Sequence, residues 1–172
     1  MKGSTIKLSQ ASTTAQTSGS GQGGTITVNA ESLSLEKGAQ LNTMTSSAAQ
    51  DAGAGGVISL NAKTISLDTK AITTAATEGA GIGGTIQVST DTLTIKGGSQ
   101  LSTAASGTGN AGNIQINTAA SRDLTIGFDA DKPQDPGPGS AINAKTTAGG
   151  AGGLISLGSS SKALTKIGRA HV

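Results

Sequence analysis

The chain has 172 residues, no Cys, three Pro, 27 Gly and one aromatic residue, Phe128. Leu, Ile, Val and Phe make up about 18% of it, a level at which a highly charged chain stays disordered, but here the net charge is only +2 and the apolar residues are periodic, so order is expected. Disulfides are excluded, no stretch approaches a membrane-spanning helix, and the lysines behind the pI of 9.0 are spread out with no aromatic stacking platform beside them, so no nucleic-acid partner is expected.

From the N-terminus, Ile6-Lys7-Leu8 is a short alternating segment that fits the second strand of an incomplete repeat unit. The first full unit opens with Gly23-Gly24-Thr25-Ile26-Thr27-Val28. Its opening recurs as Gly55-Gly56-Val57-Ile58-Ser59-Leu60, Gly83-Gly84-Thr85-Ile86-Gln87-Val88, Ala111-Gly112-Asn113-Ile114-Gln115-Ile116 and Gly152-Gly153-Leu154-Ile155-Ser156-Leu157, at spacings of 32, 28, 28 and 41. A second strand follows each time: Leu33-Ser34-Leu35, Ile65-Ser66-Leu67, Leu93-Thr94-Ile95 and Leu124-Thr125-Ile126. A third runs around Ala39-Gln40-Leu41-Asn42-Thr43, Lys70-Ala71-Ile72-Thr73-Thr74, Ser99-Gln100-Leu101-Ser102-Thr103 and Ser140-Ala141-Ile142-Asn143-Ala144. Alternation with period two and β-branched residues make these strands, and no helical period competes.

Three short strands per unit fold most simply into one coil, and about five coils stacking in parallel at about 4.8 Å give an all-β solenoid roughly 25 Å long. Stacking turns the repeats into columns. Ile26, Ile58, Ile86, Ile114 and Ile155 form one; Val28, Leu60, Val88, Ile116 and Leu157 form another; Leu33, Ile65, Leu93 and Leu124 form a third. Asn29, Asn61, Ser89 and Asn117 share a corner, where stacked amides make a hydrogen-bond ladder. Glu31, Lys63 and Asp91 form an outward column of alternating sign. The Gly pairs sit where the chain turns into the first strand, a place for positive φ or close backbone approach. A phosphate loop is rejected for Gly19–Gly24, because no Lys-Ser/Thr and no helix follow.

The fourth unit carries about ten extra residues, 127–138, with Phe128 and all three prolines, and a surface loop is expected there. Asp129, Asp131 and Asp135 are spaced faintly like a calcium loop, but Gln134 stands where the loop needs Gly and no acid closes it, so no metal and no cofactor are assigned. The final residues 167–172, Ile-Gly-Arg-Ala-His-Val, match one reading frame of a common short-read sequencing adapter, and Lys166 fits the codon before them. They are read as a non-native tail on a repeat segment spanning 1–166, which removes the only His, His171, from functional arguments. With an incomplete first coil, the expectation is the middle of a longer molecule.

Units such as Gly-Gly-Thr-Ile-Thr-Val-Asn-Ala (23–30), Leu-Ser-Leu (33–35), Lys-Gly-Ala-Gln-Leu (37–41) and Gly-Thr-Gly-Asn-Ala-Gly-Asn-Ile (107–114) resemble the filamentous haemagglutinin-like exoproteins of Gram-negative bacteria, most of all repeat-rich cyanobacterial versions. The resemblance covers about residues 6–166 and extends to other secreted β-helical shafts. It implies a right-handed parallel β-helix, passage through an outer-membrane two-partner transporter, a secreted or cell-surface location, and roles in adhesion or biofilm. The family's N-terminal secretion domain is absent from this sequence.

The leading expectation is therefore a non-catalytic shaft segment of an adhesin, whose contacts with host or neighbouring-cell glycans or proteins lie in other regions. A polysaccharide lyase or glycosidase needs converging carboxylates or an acid cluster with a basic partner. Glu31 and Asp91 share a column but Lys63 separates them, Glu36 and Asp68 occupy similar corners on adjacent coils, and Arg122 is the sole Arg before the tail. A glycan- or ice-binding face is the other alternative, and Thr27, Ser59, Gln87 and Gln115 vary too much for a matched lattice. Open coil edges are expected to make the chain associate end to end.

Overall fold

The computed structural model describes residues 3–46, 53–118, 124–126, 139–159 and 165–166. They form strands and turns, with no helix among the described residues, and every strand pair is parallel. A partial turn comes first, β1 (Thr5–Ser9) and β2 (Ser12–Thr17). The next turn is β3 (Thr25–Asn29), β4 (Ser32–Glu36) and β5 (Gln40–Thr45). Then come β6 (Val57–Leu67) with β7 (Ile72–Thr77), and β8 (Thr85–Ile95) with β9 (Gln100–Ala105). The fourth whole turn is β10 (Ile114–Thr118), β11 (Leu124–Ile126) and β12 (Ala141–Thr146), and a second partial turn, β13 (Ile155–Ser159) and β14 (Thr165–Lys166), ends the stack. The architecture is a parallel β-helix of four whole turns between two partial ones. The 127–138 segment and residues 167–172 lie outside the described residues.

The three aliphatic columns form as the repeats imply. Ile26 pairs with Ile58, Ile58 with Ile86, Ile86 with Ile114, and Ile114 with Ile155. Val28, Leu60, Val88, Ile116 and Leu157 follow in the same registers, and Ile6, Leu33, Ile65, Leu93 and Leu124 line up on the next wall. Within the middle turns these side chains are completely enclosed. Each level supplies the apolar lid of the level below, so a chain poor in bulky residues still completes its interior.

The middle coils depart from three separate strands. In β6 and β8 the first and second segments fuse into one strand of 11 residues. The corner survives as a slip in the alternation: Ile58, Leu60 and Ala62 point inward, Lys63 and Thr64 are both exposed, and Ile65 and Leu67 point inward again. Ladder pairing skips the position of Lys63 and Asp91, and the Thr90 hydroxyl, 3.1 Å from the Lys63 carbonyl and 2.9 Å from that of Thr92, ties the bend. The pairing therefore falls into two sheets, one holding the first and second strands of every turn and one holding the third, in the order β12-β9-β7-β5-β2.

On this third wall the register differs by one residue from the side-by-side reading of the sequence. Leu41 pairs with Thr73, not Ile72, and Thr73 pairs with Leu101, which pairs with Ile142. Ile72 pairs with Gln40 and Gln100 and is 37% exposed, whereas Thr73 is fully buried. The cause is the turn after the second strand. Three residues separate Leu35 from buried Ala39, Leu67 from buried Ala71, and Ile95 from buried Ser99. A turn of constant length fixes which residue enters the ladder next, and a one-residue slip would invert the whole strand.

Most of the positive φ values fall in this same turn. Lys37 and Gly38 have φ of 54 and 76, Thr69 and Lys70 of 52 and 62, Gly97 and Gly98 of 62 and 76. Two of the three turns use side-chain-bearing residues where glycine is easiest. The Gly pairs entering the first strand are needed for close approach instead. A Cβ on Gly56 would overlap the Gly24 carbonyl oxygen, one on Gly84 that of Gly56, one on Gly112 that of Gly84, and one on Gly153 that of Gly112. Those carbonyls carry the ladder onward: Val57 N–H donates to Gly24 O at 3.0 Å and Thr85 N–H to Gly56 O at 3.0 Å.

Candidate functional site

The corner after the first strand is where the sequence places its densest polar columns, and there the surface is concave. Asn29, Asn61, Ser89 and Asn117 pair level by level. Their successors Ala30, Ala62, Thr90 and Thr118 are small, so the corner recedes, and Lys63 and Asp91 stand at its rim. The result is an open groove of about 600 Å³ running along the stack. It was not anticipated from the sequence, although the small-residue column beside the amide column is a readable signal for it.

Only part of the expected amide ladder exists. Asn61 Nδ2 donates to Asn29 Oδ1 at 3.0 Å. At the next level Ser89 replaces the amide, and its short side chain does not span the spacing to either neighbour, so the ladder stops after one rung. The expected charge column is present: Lys63 Nζ lies 2.5 Å from Glu31 Oε1. The Glu31 carboxylate accepts a hydrogen bond from this ammonium and attracts its charge, holding the Lys63 pKa above the ordinary lysine range; Asp91 adds a smaller pull in the same direction, and slight desolvation opposes them.

The two carboxylates that an enzyme reading would enlist, Glu36 and Asp68, do occupy adjacent levels of one corner, where Asp68 N–H donates to Leu35 O. Each is engaged by a lysine: Glu36 Oε1 by Lys7 Nζ at 2.6 Å, Asp68 Oδ2 by Lys96 Nζ at 3.3 Å. Glu31 and Asp91 stay separated by Lys63. Thr27, Ser59, Gln87 and Gln115 stack in one outward column, without a uniform chemistry. Asp129, Asp131, Asp135, Phe128, Arg122 and His171 lie outside the described residues. Among the described residues no three His, Cys, Asp or Glu side chains gather within reach of one metal ion.

The third wall holds a polar device missed in the sequence. Thr45 Oγ1 donates to Ala54 O at 2.7 Å, Thr103 Oγ1 to Gly112 O at 2.8 Å and Thr77 Oγ1 to Gly53 O at 3.3 Å. Thr45 and Thr103 thus tie their strands to the segment leading into the next turn, and Thr77 ties back to the segment that led into its own turn. Its signal was the recurrence of Thr in the second half of the strand. Thr43 and Thr73, deeper in the same wall, have buried hydroxyls without a partner.

Compared with protein-family models, with curated proteins and with solved structures, the chain matches none.

Proposed function

We propose that this chain is a structural shaft segment of a secreted or surface-anchored adhesin, working as a spacer and not as a catalyst. The observation that carries the reading is the continuous stacking of aliphatic side chains up the first two walls, while the outward positions change from turn to turn. Six levels of strands at about 4.8 Å give a rod about 24 Å long, stiffened along its axis by unbroken ladders. A spacer needs an invariant interior and tolerates a variable exterior. The repeat likeness to filamentous haemagglutinin-like exoproteins supports the finer reading: export through an outer-membrane two-partner transporter, a Gram-negative cell surface, adhesion or biofilm as the setting, and recognition of glycans or proteins by other regions.

A second reading has one observation in its favour. The corner groove, with its amides and the Lys63–Asp91 rim, has the chemistry to hydrogen-bond a neutral or weakly charged glycan. It lacks an aromatic platform among its lining residues. The two readings separate in one experiment: the purified chain is assayed on pectin and alginate and on a glycan array. The shaft reading expects no depolymerisation and no saturable binding. Turnover of either polymer overturns it in favour of an enzyme, and saturable binding removed by Lys63→Ala and Asp91→Ala overturns it in favour of the groove.

A further inference from the structure

The coil built from β6 and β7 joins a firm part to a poor one. Along its first two walls Ile58, Leu60, Ile65 and Leu67 are fully buried. Its third wall is different. Of the four whole coils it is the one that sends no Leu or Ile inward there. β5 contributes Leu41, β9 Leu101 and β12 Ile142, whereas β7 contributes Thr73, Ala75 and Thr77. Its one isoleucine, Ile72, stands outside and is 37% exposed. We infer that β7 is an opening point built into the rod: it detaches from β5 and β9 as one unit while β6 and the first two walls stay closed.

Three faults of different kinds meet in this strand and the turn that enters it. At the entry, Thr69 and Lys70 both hold left-handed backbone, with φ of 52 and 62, where the neighbouring coils place Lys37 before Gly38 and Gly97 before Gly98. For a β-branched residue such as Thr69 that conformation is an outlier, and it lasts only while the surrounding packing imposes it. In the middle, Thr73 is fully buried between Leu41 and Leu101 with a hydroxyl that has no partner. At the end, Thr77 Oγ1 reaches back to Gly53 O at 3.3 Å, while Thr45 and Thr103 reach forward into the following coil at 2.7 and 2.8 Å. All three are relieved when β7 comes away.

Backbone bonding does not set β7 apart. Ile72 N–H donates to Ala39 O at 2.9 Å, and Gln100 N–H to Ala71 O at 2.8 Å. Its lower stability comes from side chains, and segments that bury few apolar contacts open first. Nor is the opening the fraying of an edge, because β7 is the central strand of the third-wall sheet, with β5 and β9 on its two sides. In a spacer this is the level that yields first under load. The inference rests on the packing of the stack and is independent of the adhesin reading.

Native-state hydrogen exchange on the full chain tests it. Four amides join this coil to the next. Thr85 N–H donates to Gly56 O at 3.0 Å and Lys96 N–H to Leu67 O at 2.9 Å on the first two walls; Gln100 N–H donates to Ala71 O at 2.8 Å and Ser106 N–H to Thr77 O at 3.0 Å on the third. On the opposite side of β7, Ile72 N–H donates to Ala39 O and Glu78 N–H to Thr45 O. Ile72, Glu78, Gln100 and Ser106 are expected to share one protection factor, about tenfold below that of Thr85 and Lys96, the factor that one enclosed aliphatic side chain supplies. Thr73→Leu, which completes the column of Leu41 and Leu101, is expected to raise protection at all four and to leave Thr85 and Lys96 unchanged. Lys70→Gly relieves a different fault without adding volume and is expected to give the same signature, including at Glu78 and Ser106 at the far end of the strand. Equal protection on all three walls overturns the proposal, because the coil then opens as a whole. So does a Lys70→Gly effect confined to Ile72, or the absence of any effect from both variants.

Discussion

The first two walls and the third wall of this solenoid are built by different rules. On the first two, Ile, Leu and Val occupy the inward positions apart from Ala62 and Thr90 at the corner, and pattern and turn agree on the register. On the third, inward positions read Leu41, Thr73, Leu101 and Ile142, then Thr43, Ala75, Thr103 and Ala144, so apolar content alone does not choose between registers. There the three-residue turn decides, and it does so against hydrophobicity at Ile72 and Thr73. A repeat needs a strong pattern on only part of its circumference if its turns have constant length.

The largest effect that breaks the comparison is on the aliphatic side. Ile86→Ala removes a fully enclosed side chain between Ile58 and Ile114 and is expected to destabilise by about 3 kcal/mol in denaturant unfolding. Ile72→Thr on the third wall changes stability by less than about 0.5 kcal/mol, because its side chain is outside. A loss at Ile72 equal to that at Ile86 would mean that Ile72 is inside and the turn does not set the register.

The turn itself is tested next. Lys70 holds a φ of 62, at the place where the other two turns have Gly38 and Gly98. Lys70→Gly is expected to stabilise by about 1 kcal/mol, the left-handed strain relieved less the added freedom of the unfolded chain. Its N–H keeps its 2.8 Å bond to Gly97 O. Destabilisation would show that the turn does not impose this conformation.

Thr73→Val sharpens the contrast from inside. The substitution is close in shape and removes a buried hydroxyl without a partner, so a gain of about 1 kcal/mol is expected in the same unfolding assay. Thr103→Val is expected to lose stability, because its hydroxyl is bonded to Gly112 O. The smallest effect is electrostatic. The Lys63 pKa is raised by Glu31, so the pair's contribution is fully present below the unfolded lysine value of 10.5 and is lost as pH rises through the raised one. Both groups are solvated, so Glu31→Gln produces a minor, salt-sensitive change.

These differences also explain what was legible in the sequence. The coil, its parallel order and three aliphatic columns follow from the spaced Gly pairs and strict alternation after them. The phase of the third strand does not, because an isolated Ile looks like an inward residue until the turn length is counted from Leu67. The fused corner of β6 and β8 hides in a single parity slip at Lys63 and Thr64. The groove hides because concavity comes from which columns are small, a property of the stack and not of any one repeat. Ser89 interrupts the amide ladder for an equally local reason, reach.

Methyl–methyl nuclear Overhauser contacts in an isotopically labelled chain test the level-by-level arrangement most directly. Contacts are predicted between Ile58 and Ile86 and between Ile86 and Ile114, with Ile58 and Ile114 out of range and Ile72 contacting neither Leu41 nor Leu101. Absence of the Ile58–Ile86 contact, or an Ile72 methyl seated between the two leucines, would contradict the account.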